Sequence, residues 1–111
     1  MTKARVPRIR YLLFTLKYGK PTENPRFGDN ETLKRAITAE ALRFFGEFGL
    51  SSVALKLLTF NPQTKIGMLR CSRDHIDEVR GFLALVSELD RIPARLIAIK
   101  TSGTIKSLAK G

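Results

Sequence analysis

The sequence predicts an α+β fold: a four-stranded antiparallel sheet carrying two helices on one face. Three observations lead there. The chain has 111 residues, 43% hydrophobic and 27% charged, which suits one folded domain over 1–111 with its own core. Four apolar segments have strand length, and two others repeat their apolar residues at spacings of three and four. The segments run in the order strand, helix, strand, strand, helix, strand.

Arg8 to Leu16 is apolar and aromatic and too short for a typical helix, so it reads as strand 1. Gly19, Pro21, Pro25 and Gly28 mark 17–30 as a loop. Asp29 or Asn30 caps helix 1, and Leu33, Ala36, Ile37, Ala41, Phe44, Phe45 and Phe48 line its buried face. Gly46 weakens that helix and Gly49 is expected to stop it, with the last turn free to break off as a short helix. Ser52 to Phe60 is strand 2 and Lys65 to Cys71 strand 3, joined by an Asn61-Pro62-Gln63-Thr64 turn. Ser72 or Asp74 caps helix 2, whose stripe is Ile76, Val79, Leu83 and Val86, widened by Phe82, Leu85 and Leu89. A turn over 90–93 leads to strand 4, Ala94 to Thr101, and 102–111 forms a C-terminal helix or tail.

This is the split βαβ pattern of ferredoxin-like and RRM-like sandwiches, with sheet order 4-1-3-2. Strands 1 and 4 are then antiparallel neighbours, so the start of one lies beside the end of the other. Strict alternation turns Ile9, Tyr11 and Leu13 toward the helices. It turns Arg8, Arg10, Leu12 and Phe14 away, with Lys56, Leu58 and Phe60 on strand 2 and Leu96 and Lys100 on strand 4. The open face is expected to be basic at one end and apolar across its middle. Such a face is either a protein interface or is covered by loops or the C-terminal helix.

Charge narrows the function. Lys and Arg number 20 against 10 acids. Residues 1–28 hold seven basic side chains and one acid, residues 91–111 hold five and none, and residues 29–90 hold eight against nine. The excess therefore sits at the two ends, which the predicted sheet brings together. Heat adaptation raises both signs in balanced networks, so a polyanionic partner explains the imbalance better. No basic amphipathic helix with a wide apolar face points to a membrane surface, and no apolar run approaches the roughly 18 residues that cross one. With a single cysteine and no secretion signal, a cytoplasmic location is expected.

Residues that could carry catalysis are sparse. His75, the sole histidine, lies among Asp74, Asp77 and Glu78 at the start of helix 2, where the dipole accounts for the acids. Cys71 has no histidine base at a recognisable spacing and reads as a small buried side chain. Neither catalytic nor metal-ligating residues are assigned, nor a cofactor bound by the protein. Three segments suit nucleic acid. Arg70 and Arg73 flank the strand 3–helix 2 junction as a phosphate-binding corner. Ser102-Gly103-Thr104-Ile105-Lys106 offers two hydroxyls, a close backbone approach and a lysine. The arm over 1–7, with Lys3 and Arg5 leading into Arg8, is basic. The candidate RNA-binding residues are Arg8, Arg10, Arg70, Arg73, Lys100, Ser102, Thr104 and Lys106. Strand 3 contains no Phe or Tyr, which argues against base stacking on the sheet and for contacts to phosphates and folded RNA shape.

Arg10-Tyr11-Leu12-Leu13-Phe14, Arg70-Cys71-Ser72-Arg73-Asp74-His75 and Ser102-Gly103-Thr104-Ile105-Lys106, in that order and spacing, resemble the ribonuclease P protein component 2 family. The resemblance runs from about Arg8 to Lys106. It implies a subunit of the ribonucleoprotein that removes the 5′ leader from precursor tRNA. It also implies that the ribonuclease P RNA, with its magnesium, carries the chemistry while the protein supports that RNA. The implied protein partners are ribonuclease P protein component 3, other subunits of the particle and a second copy of the chain through the loop region. Two other classes stay open on the residues alone. One is a different RNA-particle protein, such as a ribosomal one. The other is a small ferredoxin-like enzyme or ligand sensor, which would need a convergent polar pocket.

Overall fold

The computed structural model describes residues 8–19 and 27–105. Its elements are β1 (Ile9–Tyr18), α1 (Asn30–Val53), β2 (Lys56–Asn61), β3 (Ile66–Ser72), α2 (Ile76–Leu85), β4 (Glu88–Leu89) and β5 (Ile92–Ser102). The sheet has five strands in the order β2-β3-β1-β5-β4, every pair antiparallel. This corrects the expected four-stranded 4-1-3-2 sheet. The segment after α2 is not only a turn: Glu88 and Leu89 pair with Pro93 and Ile92, and the left-handed Asp90 and Arg91 close a tight hairpin. Two residues are too few to show period-two alternation, so that strand carries no sequence signature.

The larger correction concerns which face of the sheet is buried. Leu12, Phe14 and Leu16 are buried against the helices, and Ile9, Tyr11 and Leu13 lie on the open side. Leu57 and Phe60 of β2 and Leu96 of β5 also face inward. Tyr11 and Leu13 are as apolar as Leu12 and Phe14, so β1 alone gives no reason to choose between its faces. The partners decide. Leu12 pairs with Leu69, and Phe14 with Gly67. The missing side chain of Gly67 makes room for the Phe14 ring, whose Cζ would lie 2.5 Å from an added Cβ. Phe14 then stacks parallel to Phe60 at 6.5 Å.

Two bulges break strict alternation. Leu57 opposes Leu69 and Thr59 opposes Met68, so Leu58 is an extra residue on β2. The Asn30 side-chain amide donates to the Leu58 carbonyl at 3.2 Å, tying the start of α1 to this irregularity. On β5, Lys100 opposes Leu13 and Ala98 opposes Phe14, so Ile99 is the extra residue. The second bulge places Leu96 in the core and Lys100 on the open face, although an even count separates them.

Helix α1 begins at the Asp29 cap, whose carboxylate accepts from the Thr32 amide at 2.8 Å. Leu33, Ala36, Ile37 and Ala41 are buried as expected. Beyond them the expected stripe fails. Gly46 takes φ 75° and ψ 172°, which breaks the helix into two segments. The phase resets there, so Phe48 beyond it is 91% exposed. Phe44, ahead of the break, and Phe45 both pack on Phe82 at 5.5 Å, Phe44 exposed and Phe45 half-buried. Gly49 does not stop the helix; the second segment runs to Val53 and ends at the left-handed Ala54, so Ser52 and Val53 are helical rather than part of β2.

Helix α2 lacks the expected side-chain cap and follows a single 3-10 turn, Arg73–His75. Val79, Phe82 and Leu83 are buried, Leu85 is exposed, and Leu89 is buried from β4. Phe27, in a loop without apolar periodicity, is fully buried and stacks on Tyr18 at 6.3 Å, with the Lys65 ammonium 5.4 Å from the Tyr18 ring.

Candidate nucleic-acid interface

The open face is assembled from β1, β2, β3 and β5, and none of these strands contains an acidic residue. Directly opposed residues share a face, so the register reads off its rows. Lys56 opposes Arg70, Arg70 opposes Tyr11, and Tyr11 opposes Ser102. That row crosses four strands. The next row is Thr59, Met68, Leu13 and Lys100, and the one after is Asn61, Ile66, Thr15 and Ile97. Lys17 and Arg95 close the far end. The face is thus cationic at both ends, mixes apolar residues with Lys100, Thr59, Asn61 and Thr15 between them, and has no acid in its strand sequences.

The expected RNA-binding residues fall in three places. Arg70, Ser102 and Lys100 lie in adjacent rows of the open face. Arg8 and Arg73 meet at the end of the sheet, where the Arg73 amide donates to the Arg8 carbonyl at 3.0 Å. Arg10 opposes the buried Cys71 and so lies on the helix side. Its guanidinium packs on Gly103, with Nη1 2.8 Å from where a Cβ would stand, and donates to the Ile9 carbonyl at 3.3 Å. This corrects the outward orientation expected for Arg10. Strand 1 and the Ser102-Gly103-Thr104 segment are therefore in contact. The Ser102 hydroxyl accepts from the Thr104 amide at 3.1 Å, a local turn that shapes the segment. Lys106 and the basic arm over 1–7 lie outside the described residues.

Tyr11 and Lys56 belong to this face and were missed as site residues. Tyr11 escaped because strict alternation pointed it at the core; the Phe14–Gly67 pairing was the signal that could have reversed it.

His75 and Cys71 have structural explanations. His75 Nδ1 lies 3.1 Å from Glu78 Oε1 at the start of α2. Burial pushes the Cys71 thiol up to about 11, which leaves it protonated and unreactive at neutral pH. Among the described residues no group of three His, Cys, Asp or Glu side chains could hold a metal, and no helix is long and apolar enough to cross a membrane.

The Rpp14/Pop5 family model matches residues 10–111. Ribonuclease P protein component 2 of Pyrococcus furiosus is 34% identical over 91% of this chain and 79% of its own length. The ribonuclease P/MRP protein subunit POP5 of Schizosaccharomyces pombe is 32% identical over 89% of this chain and 78% of its own. Component 2 of Methanocaldococcus jannaschii is 31% identical over 87% and 66%. A chain of the cryo-EM structure of yeast ribonuclease MRP shares the fold, with a TM-score of 0.64 at 15% identity over 92% of this chain and 79% of that one. With a match that starts in β1 and runs through β5, the chain belongs to the Rpp14/Pop5 family, whose relatives here are ribonuclease P protein subunits.

Proposed function

We propose that this protein is the component 2 subunit of a ribonuclease P, the ribonucleoprotein that removes the 5′ leader from precursor tRNA. The family match over 10–111 is the observation that carries the reading. The sheet face gives it a physical basis: a polyanion meets cations on four strands whose own sequences contain no acid. In this reading the RNA and its magnesium carry the metal-assisted chemistry in the cytoplasm. The protein neutralises phosphates and holds the catalytic RNA in its active shape. Its contacts are Arg8, Arg10, Arg70, Arg73, Lys100, Ser102, Thr104 and Lys106. Ribonuclease P protein component 3, further subunits and a second copy of the chain complete the particle.

Reconstitution tests this. The full chain, added with its partner subunit to the cognate RNA at low magnesium, is expected to raise the rate of precursor tRNA cleavage. An unchanged rate overturns the reading. Recovery of ribosomal RNA instead, when the RNA that copurifies with the chain is sequenced, would favour a different RNA particle.

A further inference from the structure

The row Lys56–Arg70–Tyr11–Ser102 does more than add positive charge. The lack of aromatics on β3 argued against base stacking, but β1 turns Tyr11 onto the open face. We propose that this face is a single-stranded RNA platform, on which an unpaired base stacks against Tyr11 while Arg70 and Lys56 take the flanking phosphates. The inference rests on the reading of the chain as an RNA-binding subunit and names the form of RNA that this face receives.

Four observations support it. Tyr11 is the aromatic residue of the face, and it is only half-buried. Among the described residues its ring has no stacking partner and its hydroxyl no hydrogen bond. The contrast with Tyr18 is direct: Tyr18 is held between Phe27 and Lys65, and among the described residues Tyr11 has no such partners. Second, Leu13 and Met68, half-buried in the next row, extend an apolar floor beside the ring. Third, the row crosses four strands spaced about 4.8 Å apart, so it spans about 14 Å, room for a short run of splayed nucleotides. Fourth, the charge is one-sided. Protein interfaces deplete lysine relative to the rest of the surface, whereas this face carries Lys56, Arg70, Arg95 and Lys17 on strands whose sequences contain no acid.

The geometry favours unpaired over duplex RNA. In an A-form helix the base faces are stacked on one another, so a tyrosine lying on a flat sheet has nothing to stack against. An unpaired base offers a π-face whatever its sequence. Phosphate contacts alone would require no aromatic residue between Arg70 and Ser102.

The test is fluorescence anisotropy of the full chain with a labelled eight-nucleotide mixed-sequence RNA, single-stranded and annealed to its complement. Tyr11→Leu keeps the apolar bulk and removes the ring; Tyr11→Phe keeps the ring. Tyr11→Leu is expected to weaken single-strand binding about ten-fold, with Tyr11→Phe close to wild type. The salt slope should not move in Tyr11→Leu but should fall by roughly 0.7 in Arg70→Ala. Duplex affinity should be equal for wild type and Tyr11→Leu. Single-strand binding by Tyr11→Leu that equals wild type overturns the platform. So does a variant that binds RNA normally but no longer assembles with another protein subunit, which would make this face a protein interface. Both results leave the ribonuclease P reading standing, because that reading fails on the cleavage rate of the reconstituted particle.

Discussion

Gly67 shows how one residue sets a packing decision. An added Cβ would lie 2.5 Å from the Phe14 ring and 3.0 Å from the Thr59 carbonyl. The ring is fully buried and cannot swing into solvent. Gly67→Ala is therefore expected to cost about 1–3 kcal/mol, read as a lower urea midpoint with an unchanged m-value. Cys71 makes a second residue-scale case. Its thiol is raised from 9.0 to about 11 by burial, so the folded state holds the proton more tightly than the unfolded chain. The stability tied to this group is fully present below pH 9 and is lost as pH rises through 11. At pH 8 iodoacetamide should label the native thiol far more slowly than the thiol unfolded in urea; equal rates would contradict its burial. That Cys71 is a small buried side chain could be read from the sequence, since no base accompanies it. That Tyr11 stands on the open face could not, because Leu12 and Tyr11 are both acceptable core residues and only a neighbouring strand chooses between them.

At the scale of elements, local chemistry wrote the starts of structure better than their ends. The Asp29 cap and the buried Leu33, Ala36, Ile37 and Ala41 follow from spacing within one helix. The Thr32 amide and hydroxyl bonds hold the Asp29 carboxyl below its usual value. Its contribution is therefore present above the ordinary carboxylate range and is lost as pH falls through the lowered value. Asp29→Ala should lower the thermal midpoint at pH 7, and the gap to wild type should narrow as pH falls below the ordinary carboxylate range; a gap that does not narrow would exclude the cap as its source. The far end of α1 is different. A helix that breaks at Gly46 and restarts carries its second segment in a new phase, so period-3.6 counting from Leu33 assigns Phe48 wrongly. Bulges at Leu58 and Ile99 do the same to period-two counting on β2 and β5.

For the whole molecule, the pairing of β1 with β5 brings together charges that are far apart in sequence: Lys17 opposes Arg95, and Arg10 lies against Gly103. Replacing Arg8, Arg10 and Lys106 by Ala together should weaken binding to the cognate RNA and flatten its salt dependence, by roughly 0.7 to 0.9 for each phosphate no longer neutralised. An unaltered slope would place the RNA elsewhere. The sequence by itself determined the alternation of the four longer strands with the helices, the basic ends and the absence of acids from those four strands, because these depend on residues close together in the chain. Tertiary structure alone decided which face of the sheet the core took, where the fifth strand paired and which arginine turned outward. The physical reason is that side-chain period constrains a strand only up to a flip, and contacts between distant segments, such as Phe14 in the gap left by Gly67, remove that ambiguity.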